Sequence, residues 1–199
     1  MTLKLGILIP ILLLTSCAEV MGIKKWKPLT REQILVEARK YKINEVNLFY
    51  CDSQSFKTAY FSLKKSDKRL FKDLGQPLQL KFYDIKRDSQ FIYLINCYLG
   101  GFPNIKWNRA GSLNFFPPKQ GPIKRPDSLF SVKSNFAPLI PLENSSINNI
   151  SNYDYLLMIH WSVFMGRQSK NLIKIAKKFV RNNADKSIEV VYVNMDNIY

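Results

Sequence analysis

The chain has 199 residues, of which 46% are apolar and 23% charged, and its 30 basic residues against 15 acidic ones give a formal charge of +15. These values belong to a folded globular chain long enough for one real core, and they exclude a collagen-like, coiled-coil, multispanning or disulfide-dense protein. One histidine and three cysteines leave little material for a metal site, so neither a metal nor another cofactor is expected.

The chain opens with a single positive charge, Lys4, followed by an uncharged run from Leu5 to Leu14. A spanning helix needs about 20 apolar residues, whereas a run of this length suits the apolar region of a secretory signal. Leu14-Thr15-Ser16-Cys17 follows, an apolar residue, two small ones and a cysteine. This segment resembles the lipobox of bacterial lipoproteins. The resemblance implies a signal peptide over residues 1–16, cleavage before Cys17, and acylation of the Cys17 thiol and the new amino group. Two or three acyl chains hold a protein on a membrane where one would be marginal. The implied location is the bacterial cell envelope, where disulfides are permitted. The alternative is an ordinary signal peptide or N-terminal anchor with a chance cysteine.

Residues 17–29 read as a basic tether carrying Lys24, Lys25 and Lys27 and closing at Pro28. Residues 30–99 form an N-terminal α+β part. Thr30-Arg31-Glu32-Gln33 matches a capping box, and Ile34, Leu35, Ala38 and Tyr41 follow at helical spacing, which predicts a helix over 30–42. Val46–Tyr50 reads as a strand. The stretch 53–65 is ambiguous, with a second strand expected around Ala59–Leu63. Asp67–Leu74 reads as a short helix stopped by Gly75 and Pro77. Leu78, Leu80 and Phe82 alternate with Gln79, Lys81 and Tyr83, the turn 86–89 follows, and Phe91–Leu99 is apolar and aromatic, so 78–99 is predicted to be a β-hairpin.

Residues 100–152 change character. Seven of the ten prolines lie between Pro103 and Pro141, and no periodicity persists. A structureless loop of this length is unusual inside one domain, and Trp107, Phe115, Phe116, Phe130 and Phe136 point to an ordered wrap. Asn144-Ser145-Ser146 and Asn149-Ile150-Ser151 match the N-glycosylation pattern, a chance match in a bacterial lipoprotein. Residues 153–199 are the clearest unit. Tyr155–His160 is a buried strand, Leu172, Ile173, Ala176, Phe179 and Val180 mark one helical face, and Ile188–Val193 is a second buried strand. A crossover of this length makes the two strands parallel and the connection right-handed, so the fold class is α/β.

This last unit, His160-Trp161-Ser162-Val163-Phe164-Met165-Gly166-Arg167-Gln168 followed by Val193-Asn194-Met195-Asp196, is similar to the first βαβ of the thioredoxin-like family. There a buried strand leads into Trp-Ala-x-Trp-Cys-x-x-Cys, a long helix and a strand ending Val-Asn-x-Asp. Trp161 and Gly166 match in place, but Met165 and Gln168 stand at the two cysteine positions, and Arg167 stands where proline is frequent. The family's thiolate has its pKa lowered at a helix N-terminus, and a thioether forms no thiolate. The resemblance therefore implies a fold without disulfide exchange, binding a protein or peptide through the surface around Trp161–Gln168. The family's fold continues with a cis-proline and a hairpin. Here a proline-led hairpin lies upstream, at Pro77 and 78–99, which leaves open whether the N-terminal half completes the sheet in a permuted arrangement.

Cys51 and Cys97 have no CxxC spacing and are either buried free thiols or a structural disulfide. His160, on an apolar strand, reads as a core histidine. Residues 167–186 carry seven basic residues and one acidic. For a lipid-anchored chain the nearest anions are headgroups, each nearby Lys or Arg contributing about 1 kcal/mol, which disfavours a nucleic-acid partner. The sequence thus leads to a lipid-anchored, redox-inactive, thioredoxin-like binding or interaction protein. The alternatives are an envelope thiol-disulfide oxidoreductase using Cys51 or Cys97, and a purely structural lipoprotein.

Overall fold

A computed structural model describes residues 22–87, 90–97, 106–108, 110–119, 131–142 and 150–198. The expected signal peptide over residues 1–16, Cys17 and the Asn144 pattern lie outside the described residues. Helix α1 (Arg31–Lys40) starts at the expected capping box: the Thr30 side chain accepts from the Gln33 amide, and the Gln33 side chain accepts from the Thr30 amide. Strand β1 (Leu48–Cys51) follows a single 3-10 turn. Residues 53–66, where a strand was expected around Ala59–Leu63, are helix α2 (Ser53–Ser66). Asp52 starts it, its carboxylate accepting from Ser55 N and its carbonyl from Phe56 N. Phe56 and Tyr60, one turn apart, then stack with centroids 4.6 Å apart and are both buried. Helix α3 (Lys68–Leu74) and the hairpin strands β2 (Gln79–Asp84) and β3 (Gln90–Asn96) follow the sequence reading. The Pro-rich stretch contributes a short helix, α4 (Val132–Phe136), and a short strand, β4 (Leu139–Pro141), neither of which its composition announces. Strand β5 (Tyr155–Trp161), helix α5 (Gly166–Asn182) and strand β6 (Ile188–Asn194) complete the chain.

The protein is mixed α/β, with one six-stranded sheet in the order β3-β2-β5-β6-β1-β4. β5 and β6 are parallel, with Ile159 opposite Tyr192, and β1 lies parallel to β6. The upstream hairpin does join this sheet. β2 runs antiparallel to β5, placing Leu80 opposite Ile159 and Phe82 opposite Leu157. β4 closes the far edge against β1.

Helices cover both faces. Ile34 and Ala38 of α1 and Leu172, Ile173, Ala176 and Phe179 of α5 pack on Leu80, Phe82, Leu157, Ile159 and Trp161. Each large aliphatic side chain buried there contributes about 1.5–3 kcal/mol. Phe56, Tyr60, Leu74 and Phe136 cover the opposite face, over Tyr83, Leu156, Met158, Val191 and Val193. With both faces covered, β2 is buried at every position, including its polar residues Gln79, Lys81 and Asp84. Among the described residues no helix is long and apolar enough to cross a membrane.

Candidate functional site

The loop 162–165 joins β5 to α5 at the C-terminal end of the two parallel strands, where a βαβ unit presents its loops and a helix N-terminus together. One buried carboxylate organises it. Asp196, 1% exposed just beyond β6, accepts from Ser162 Oγ at 2.7 Å, Val163 N at 2.8 Å, Phe164 N at 3.3 Å and Asn194 Nδ2 at 2.8 Å. Ser169, on the first turn of α5, reaches back through Oγ to the Ser162 carbonyl at 2.5 Å. A buried carboxylate persists when its lone pairs meet donors in this way. The Val-Asn-x-Asp ending singled out in the sequence is therefore the clamp of this loop.

Across the loop lies residues 22–29. The sequence reading made this a tether, but the structure lays it down as a strap. Lys24 N donates to the Phe164 carbonyl at 2.7 Å, and Trp26 Nε1 donates to the Asp196 carbonyl at 2.7 Å. Leu29 is gripped from both sides by the Asn197 amide, its N–H donating at 2.8 Å and its carbonyl accepting at 3.0 Å. Two glycines allow the approach. Gly166 has φ +44°, and a Cβ there would sit 2.0 Å from the Gly22 carbonyl oxygen; Gly22 itself has φ +73° and lies against Arg167. Only glycine takes such angles without steric cost. The strap residues Gly22, Lys24 and Trp26, and Asn197, were not read as site residues. The one signal was an aromatic residue, Trp26, inside a basic segment that otherwise reads as solvated.

The residues expected to form a binding surface lie mostly below it. Trp161 is 0% exposed, and Met165, Gly166 and Gln168 are also buried; only Arg167 of that set is exposed. Trp161 packs at 5.2 Å from the Tyr41 ring, and its indole N–H has no hydrogen-bond partner among the described residues. The Tyr41 hydroxyl, pushed up to about 12 by burial and then by the Glu37 and Asp196 charges, donates to the Gly166 carbonyl. The burial of these residues has a simple cause. Strand ends and helix starts in a sheet covered on both faces point into the core, and the strap covers what remains.

Of the two alternatives for Cys51 and Cys97, the structure has the buried thiols: the two are not joined by a disulfide, and Cys97 Sγ donates to Gln76 Oε1 at 2.7 Å. Cys51 ends β1 and Cys97 directly follows β3, strands separated by four steps of the sheet, roughly 19 Å at the usual strand spacing, and a disulfide needs Cα atoms within about 7 Å. They also belong to the two opposite core clusters. Burial pushes the Cys51 thiol up to about 12, against the partly opposing charge of Lys81, so it is no nucleophile at neutral pH. Among the described residues no cluster of His, Cys, Asp or Glu could hold a metal.

A second polar group lies buried on the α2–α4 side of the sheet. Lys81, 1% exposed, donates from Nζ to Asn135 Oδ1 at 2.7 Å. Burial lowers its pKa from 10.5 to about 7, with neighbouring Cys51 a smaller influence in the opposite direction. His160 is also buried; burial and then the Lys81 charge hold its imidazole well below its ordinary range, and neither ring nitrogen has a partner among the described residues. It is a neutral core histidine, as its apolar strand indicated. No family model, curated protein or solved structure matches this chain.

Proposed function

We propose that this is a lipid-anchored, redox-inactive, thioredoxin-like protein of the bacterial cell envelope that acts by binding rather than by catalysis. The observation that carries the reading is the chemistry of the loop at the start of α5. The thioredoxin-like family keeps its reactive thiolate there; here the two positions hold Met165 and Gln168, both buried, and a strap of the chain's own backbone crosses them. A thioether cannot ionise to a nucleophile. The sheet supports the same relationship. In that family the βαβ unit is extended by a proline-led hairpin beside the motif strand, and here the hairpin led by Pro77 takes this place from upstream, antiparallel to β5. Cys51 does not restore the chemistry, because burial keeps it protonated.

A protein or peptide partner would meet the exposed Arg167, the half-buried Val163 and Phe164, and Trp26 of the strap, which is 38% exposed. Such a mixed aromatic and cationic patch suits an interface anchor better than a reaction centre. The test is the intact mass of the membrane-extracted protein, before and after reduction and alkylation. The expected result is a diacyl or triacyl mass on Cys17, with Cys51 and Cys97 unlinked and slow to alkylate until the protein is unfolded. An unlipidated mass together with one rapidly alkylated thiol overturns the proposal.

A further inference from the structure

Helix α5 buries one face and leaves the other to a groove of about 1230 Å³ between it, the end of α1 and the segment around Trp107. The groove floor is apolar, with Trp107, Ile173 and Tyr41 all buried. Every charged residue that lines it is a cation, including Lys42, Lys106, Lys170, Lys174, Lys178 and Arg181. None of these six forms an ion pair among the described residues. The crowding has a visible effect: Lys177, whose amine donates to the Lys42 carbonyl, is shifted downward by burial and by the charge of Lys42. Like charges gathered without counter-charges weaken the isolated fold and are relieved by an anionic surface.

The geometry indicates which surface. The strap begins at Gly22, against Arg167 at the N-terminus of α5. Cys17 precedes Gly22 by five residues, a span of roughly 17 Å when fully extended. Lys24, Lys25 and Lys27 of the strap are exposed, as are Arg167, Lys170, Lys174 and Lys178 along α5. The point where an acyl anchor would leave the protein and the start of the unpaired basic face are therefore at the same end of the same helix.

We propose that this face docks on anionic phospholipid headgroups, with α5 lying flat along the leaflet that holds the chain. The inference rests on the lipid-anchor reading and adds an orientation and a ligand class to it. Flat docking places both ends of the groove near phosphates, whereas an anchor alone would hold only the strap and Arg167 near them. The electrostatic attraction falls off within a Debye length, about 8–10 Å in ordinary buffer, so contact has to be close.

The experiment is an amine-labelling footprint on the membrane-extracted protein, transferred from detergent into vesicles of phosphatidylcholine alone or of two parts phosphatidylcholine to one part phosphatidylglycerol. With the anionic lipid, labelling of Lys170, Lys174 and Lys178 should fall by roughly threefold or more and recover in high salt. Labelling of the exposed Lys57 and Lys68, on the helices of the opposite face, should not change. The double variant K174E/K178E, altered at exposed positions, should lose the lipid dependence at Lys170. Equal labelling in both vesicles overturns the inference, as does protection confined to Lys170. Protection by an added RNA oligonucleotide with none by anionic lipid overturns it in favour of a soluble polyanion. The intact mass of the same sample reads the anchor separately. An unacylated chain that still shows the lipid-dependent footprint keeps this face and discards the anchor, and one showing neither discards both.

Discussion

Two of the buried polar groups, Asp196 and Lys81, solve the same problem to different degrees. Asp196 is surrounded by donors from Ser162, Val163, Phe164 and Asn194, and it ties together a strand end, a helix start and the strap. Lys81 has the Asn135 carbonyl oxygen, while both nitrogens of nearby His160 lack partners among the described residues. A satisfied hub in a low-dielectric interior fixes geometry, whereas a partly satisfied one leaves a desolvation cost that protonation can change. The first cluster therefore supports the site, and the second makes stability depend on pH.

Removing the hub is the most severe way to break this contrast. Asp196→Ala leaves several buried donors unpaired, and a loss of about 3–5 kcal/mol is expected in denaturant unfolding. A loss below about 1 kcal/mol would mean that water replaces the carboxylate and that the loop is not clamped by it.

A milder change separates the strap from the core. Gly166→Ala puts a Cβ where the Gly22 carbonyl now lies, at a positive φ. The expected cost is about 1–2 kcal/mol. Hydrogen exchange should rise at Lys24 and the fluorescence of Trp26 should move to longer wavelength, while amides of α5 and β5 keep their protection. Loosening of β5 along with the strap would show that the strap is part of the core rather than laid over it.

A pH-dependent effect of similar size is the most diagnostic of the second cluster. The pKa of Lys81 is depressed in the folded state, so between about pH 7 and its unfolded value near 10.4 the unfolded chain binds more protons, and stability rises with pH. Below pH 7 both states are protonated and this contribution levels off. Above about pH 9 the Cys51 thiol and buried tyrosines, raised in the folded state, act in the opposite sense. Unfolding free energies at pH 7 and pH 9 should differ by about 2 kcal/mol more in the natural protein than in Lys81→Met. Equal increments in the two would show that the Lys81 amine stays charged inside the fold.

The legible parts of the sequence were those set by local rules. The capping box at Thr30, the apolar face of α5, the continuous apolar runs of β5 and β6 and the alternation in β2 each correspond to an observed element, because hydrogen-bond closure and face periodicity act within a few residues. Where local signals conflicted, the reading failed. Ala59–Leu63 looks like a strand from its aromatic residues, but the Asp52 cap and the Phe56–Tyr60 stack one turn apart make it helix. β4 lies in a Pro-rich stretch with no periodicity and exists because the edge of β1 offers it a partner.

The amino-acid sequence by itself determined that no thiolate stands at the start of α5, that the chain is strongly basic, and that a parallel βαβ unit and a separate hairpin are present. It could not say that the alternating polar residues of β2 would be covered, since alternation describes one strand and burial depends on what packs over its second face. Tertiary structure decided that the hairpin pairs with β5, that Cys51 and Cys97 stand on opposite faces, that the segment before Leu29 closes over the loop, and that cations from α1, α5 and the Trp107 segment converge on one groove. These outcomes join residues far apart in the chain, and their energies come from surfaces and charges that meet only once the layers have packed.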